Sequence, residues 1–172
     1  MTPDPIAPWL VLAVGNPSRG DDALGPALQE ALQSEGVEAS GDVELLTDFQ
    51  LQVEHALDLQ GRGAVLFVDA ARPGAVAAAG GVALTPLAPA SALPALSHAL
   101  TPAAVLQVAA HLGAPVPPAW QLAIEGAAFG LGESMSAPAH TRLAAALVLA
   151  RGWLAARRDE AGAARAPGVA HA

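Results

Sequence analysis

Asp21 and Asp22 stand side by side in the stretch Gly15–Gly25 (GNPSRGDDALG), just after the apolar run Trp9–Val14. Asp69 follows a second apolar run, Ala64–Val68 (AVLFV). That is a costly place for an idle charge, because burial penalises the ionised form. A carboxylate near a helix N-terminus commonly serves as a cap. This favours a structural role for Asp21 and leaves Asp22 to face the strand edge. Asp69 has a structural reading too, as an acceptor for amides of the loop carrying Arg72, Pro73 and Gly74. Among the five histidines, His98 lies outside regular structure, just before a helix cap at Thr101, and is open to act as a ligand. His55 and His111 fall within expected helices as packed or surface residues. His140 starts the last helix and His171 lies in the tail. Two carboxylates and one imidazole suit a divalent transition ion, with Zn, Ni, Co and Mn all conceivable. Three protein ligands leave coordination positions open, as a recognition or catalytic site requires.

Other chemistries are excluded by what surrounds these residues. Gly15–Gly20 has the spacing of a phosphate loop, but Asp21 and Asp22 stand where Lys and Ser/Thr are needed. Two carboxylates repel a triphosphate. No G-x-G-x-x-G follows the first apolar run, and H-E-x-x-H and G-x-S-x-G are absent. With no Cys there is no disulfide, thiolate ligand or cysteine nucleophile.

The elements that must position the acids are read from periodicity. Trp9–Val14 is a buried strand ending at a turn. Ala23–Ser34 is a helix, Asp42–Leu46 a strand, and Phe49–Leu59 a helix with Thr47-Asp48 as cap candidates. Ala64–Val68 is a strand ending at Asp69, and Gly81–Leu84 a further short strand. Leu87–Pro94 is a loop. Thr101–Leu112 is a helix with Thr at the N-cap and Pro at its first position. Trp120–Ile124 is a strand, Gly126–Pro138 a glycine-rich loop, and Thr141–Arg158 a long helix. Apolar strands alternating with helices predict an α/β fold, a three-layer sandwich with a mainly parallel central sheet flanked by helices on both faces. Residues 1–158 are expected to form a single domain, with 159–172 a flexible tail. Ligands of such sheets bind beyond the carboxyl ends of the strands, where Asp22 and Asp69 lie.

The 172 residues suffice for one compact core. A formal net charge of −8, with all eight basic residues Arg, disfavours nucleic acid and anionic membrane surfaces as partners. The first eight residues, MTPDPIAP, lack the basic region of a secretory signal. No uninterrupted apolar run is long enough for a transmembrane helix. A cytoplasmic location is the expectation, and a monomer is the expected state.

The GNPxxGDDxxG pattern resembles that of the nickel-iron hydrogenase maturation proteases. Two further segments, Leu66-Phe67-Val68-Asp69-Ala70-Ala71 and Ser97-His98-Ala99-Leu100-Thr101-Pro102, are similar to the family's in the same order. The intervening Thr47–His55 resembles the branch serving soluble, NAD-reducing (Hox-type) hydrogenases. The resemblance implies a sheet flanked by helices and a nickel-recognising site at Asp22, Asp69 and His98. It implies cleavage of the C-terminal extension of a hydrogenase large-subunit precursor after nickel insertion, behind a basic residue following the last nickel-ligating Cys motif. Nickel then arrives with the substrate and is tested by the protease, and other divalent metals can stand in for it. Two positions depart from the pattern. Residue 22 is Asp where relatives often have Glu, and residue 23 is Ala where Gly is common. With no Cys or serine motif, a water activated by the carboxylates, the metal or both is expected. The alternative is a non-catalytic nickel-checking chaperone or binding module of the same fold.

Overall fold

In the computed structural model, which describes residues 4–76, 78, 80–93, 100–166 and 168, the first apolar run becomes the central strand. β1 (Trp9–Val14) is buried along its whole length. It pairs in parallel with β2 (Val43–Asp48) on one side and β3 (Ala64–Ala71) on the other. β5 (Ala119–Glu125) pairs in parallel with β3. β4 (Val82–Leu87) closes the edge antiparallel to β5. The sheet order is β2-β1-β3-β5-β4. Pro86 is tolerated within β4 because an edge strand can do without one ladder donor.

Side chains alternate across the sheet, and each face carries its own core. Trp9, Val11, Ala13, Leu66 and Val68 face α1 (Leu24–Ser34) and α4 (Ala137–Arg165). Leu10, Leu12, Val65 and Phe67 face the other layer, α2 (His55–Asp58) and α3 (Pro102–His111). The result is the α/β three-layer arrangement, with a five-stranded, mostly parallel sheet. The chain leaves β1 for β2 on one side, and from β3 it passes to the edge strand β4 and then back to β5 on the other. The carboxyl ends of β1 and β3 therefore flank the point where connections diverge, the position at which such sheets bind ligands.

Several local expectations need correction. The stretch Phe49–Leu59 is not one helix. β2 runs through Asp48, and only His55–Asp58 is helical. Asp48 Oδ1 accepts from the adjacent Phe49 N–H at 2.6 Å, and His55 Nδ1 accepts from Gln52 N–H at 2.8 Å. These side-chain bonds hold a turn in place of the first helical bonds. β3 does not stop at Val68 but continues to Ala71, so Asp69 is a strand residue opposite Ala123. The last helix starts at Ala137 and runs to Arg165, through positions expected to be a flexible tail. Arg157 binds Glu160 along the helix and stacks on Trp120 at 4.4 Å, contacts that favour continuation past Arg158. The Thr101 cap is as expected, with its hydroxyl accepting from Ala104 N–H. No helix among the described residues is long and apolar enough to cross a membrane.

Candidate functional site

Two glycines shape the turn that presents Asp22. Gly15, at the end of β1, has φ +146°, and a Cβ there would overlap the Asp22 carbonyl. Gly25 lies so close to the Val14 carbonyl that a Cβ would collide with it. Only glycine permits both approaches. Between them, residues Gly20–Ala23 form one 3-10 turn leading into α1, pressed against the carboxyl end of β1.

The adjacent aspartates diverge from this turn. Asp21 points inward and is fully buried. Its Oδ2 accepts from the amides of Ala127 and Ala128 and from the Ser136 hydroxyl, and its Oδ1 accepts from the Ser136 amide. Burial pushes its carboxyl upward, but the Ser136 hydroxyl and the three amides outweigh that and hold it below the ordinary 3.8. Asp21 is therefore structural, as expected. It is not a cap of its own helix, however, but a clamp joining the turn after β1 to the loop before α4. Asp22 points the other way, partly exposed, with Oδ2 accepting the Asn16 N–H at 2.8 Å.

Asp69 comes from β3, on the same sheet face as Val65 and Phe67. Its carboxyl is raised from 3.8 to about 7, first by burial and then by the Asp22 charge, with the Ala70 amide opposing. Asp22 and Asp69 line one cleft of about 630 Å³, together with Arg19, Phe49, Gln50, Leu51, Arg72 and Leu100. An anionic carboxylate beside one poised near neutrality can hold a cation or pass a proton to and from water.

His98 lies outside the described residues, as does His171. Leu100, two positions after His98, is on the cleft wall. Among the described residues, no group of three or more His, Asp or Glu is arranged to hold a metal ion. His55 is buried, its Nε2 facing Asp48 Oδ2 at 3.4 Å. His111 and His140 are exposed, and neither lines the cleft.

Sequence reasoning did not single out Arg19, Arg72 and Phe49 as cleft residues. Arg19 was hidden within a motif read for its acids, and Phe49 within an expected helix. Phe49 is 67% exposed at the cleft mouth. A large apolar side chain that fits neither helix face nor strand core was the available signal.

No family model matches this chain, and no curated protein matches its sequence. Solved structures do match its fold. The hydrogenase maturating endopeptidase HybD from E. coli superposes with a TM-score of 0.65 at 22% identity, covering 88% of this chain and 93% of that one. The [NiFe] hydrogenase maturation protease HybD from Thermococcus kodakarensis gives 0.61 at 16% identity, covering 84% and 97%. HycI, a [NiFe] hydrogenase maturation protease from Thermococcus kodakarensis KOD1, gives 0.60 at 22% identity, covering 83% and 89%. At these identities the likeness is one of fold.

Proposed function

We propose that this chain is an endopeptidase that removes the C-terminal extension of a nickel-iron hydrogenase large-subunit precursor after nickel insertion, acting in the cytoplasm. The observation that carries this reading is the meeting of Asp22 and Asp69. Asp22 comes from the turn after β1 and Asp69 from the last residues of β3, and both line one cleft, close enough for the charge of one to raise the other. The fold shared with the maturation proteases is the second support.

In this reading Asp22, Asp69 and His98 are both the catalytic residues and the nickel-recognising ones. In the sequence His98 lies shortly before α3, separated from it by Ala99, Leu100 and Thr101, and α3 packs on the sheet face that carries Asp69. The nickel belongs to the precursor, and its own chemistry would be to polarise a group bound beside the two carboxylates. The Asn16 amide orients Asp22 through Oδ2. Asp69, balanced near neutrality, accepts a proton from water as the water oxygen adds to the scissile carbonyl. It returns that proton to the leaving amine as the C–N bond breaks. The Thr47–His55 stretch supports assignment to the branch that serves soluble, NAD-reducing hydrogenases.

The decisive experiment incubates the purified chain with nickel-loaded precursor and follows precursor mass. Loss of the extension is the expected result. A precursor that is bound but never shortened would instead identify a non-catalytic checking module.

A further inference from the structure

The chain carries 16 acidic residues against 8 arginines, so a guanidinium has carboxylates to spare as partners. Among the described residues Arg62, Arg142, Arg151, Arg157 and Arg158 each form an ion pair. Arg165 closes the last turn of α4, where a cation complements the helix dipole. The two arginines left over, Arg19 and Arg72, are both exposed, and both line the cleft that holds Asp22 and Asp69. Arg19 precedes Asp22 by three residues, and Arg72 follows Asp69 by three. The cleft thus combines partly buried acids with exposed guanidinium groups that pair with no carboxylate among the described residues.

We infer that Arg19 and Arg72 form a carboxylate-binding rim, which holds an acidic side chain or the free C-terminus of the peptide that enters the cleft. The inference deepens the endopeptidase reading and rests on it for the peptide nature of the ligand. A planar guanidinium presents paired donors that match a carboxylate bidentately. The pairing favours a peptide carrying a carboxylate on the segment that is cut away. A polyphosphate or nucleic acid is disfavoured, because its dense charge would meet Asp22 and the net charge of −8.

The test follows the arginine Nε–H signals of the full chain by NMR, which detects weak binding. Three acetylated peptides are titrated: one with a free C-terminal acid, the same sequence as a C-terminal amide, and that amide with one internal residue replaced by glutamate. Saturable shifts of the Arg19 and Arg72 signals are expected with the free acid or the glutamate peptide. The plain amide is expected to bind roughly tenfold more weakly, and the stronger of the first two arms identifies the source of the carboxylate. Arg19→Gln and Arg72→Gln should each abolish most of that preference while keeping the wild-type melting temperature. Equal binding of all three peptides, or a preference that survives both substitutions, overturns the rim. Precursor cleavage is scored separately. A chain that never shortens the precursor but keeps the arginine-dependent preference fails only as an endopeptidase. A chain that cuts while both variants bind and cut like wild type loses only the rim.

Discussion

Ser136 holds Asp21 twice, its amide donating to Oδ1 at 2.7 Å and its hydroxyl to Oδ2 at 2.6 Å. The same hydroxyl accepts from Ala139 N–H at 3.3 Å and so caps α4. One carboxylate therefore ties the turn bearing Asp22 to the start of the longest helix. Asp21→Asn places an NH2 group against donors that have no other acceptor. The expected cost is about 2–4 kcal/mol, read as a fall in the denaturation midpoint. Because Asp21 titrates below its ordinary value when folded, its stabilisation is complete above pH 3.8 and is lost as pH falls through the lower folded value. The variant should therefore show a flatter acid-unfolding limb than wild type.

Asp69 has the opposite sign. Its folded value near 7 exceeds the ordinary 3.8, so the folded state binds the proton more tightly. The charged form costs stability, and that cost grows as pH rises from about 4 to 7. Asp69→Asn should be more stable than wild type at pH 8, on the order of 2 kcal/mol, with the gain vanishing toward pH 4. Precursor processing should be blocked in the same variant, and also in Asp22→Asn and His98→Ala. Thermal melts across pH test the first claim, and extension removal tests the second. Wild-type processing in all three variants would overturn the site assignment.

Gly25→Ala should cost about 2–4 kcal/mol because the added methyl meets the Val14 carbonyl, which is strand backbone and cannot move aside. Relief would come from lifting the Asp22 turn off β1. Processing should therefore fall further than the melting temperature alone explains. Gly36→Ala provides a contrast, since a Cβ there meets nothing within 4 Å and only the positive φ of 71° opposes it.

His55→Ala removes the acceptor for the Gln52 amide and the contact with Asp48. About 1–2 kcal/mol of stability should be lost. The loop this pair holds carries Phe49, Gln50 and Leu51, which line the cleft. KM for the precursor should rise with a smaller change in kcat, as steady-state cleavage kinetics will show.

The sequence by itself determined the layers of this protein. Continuous apolar runs such as Trp9–Val14 and Ala64–Val68 are buried on both faces, and parallel strands so buried need helices on either side. Gly15 and Gly25 marked a tight turn, and Asp22 and Asp69 could be placed near the carboxyl ends of two strands, because these are local consequences of residue type, although β3 runs two residues past Asp69. Tertiary structure alone decided the rest. The opposite directions of Asp21 and Asp22 depend on Ser136, 115 residues away in the chain. The raised Asp69 carboxyl depends on burial and on the charge of Asp22, carried by the turn after β1. The turn at Gln52–His55 overrode helical periodicity through one imidazole acceptor. The placement of Arg19 and Arg72 around one cleft follows from β1 lying beside β3, a pairing that local pattern does not encode.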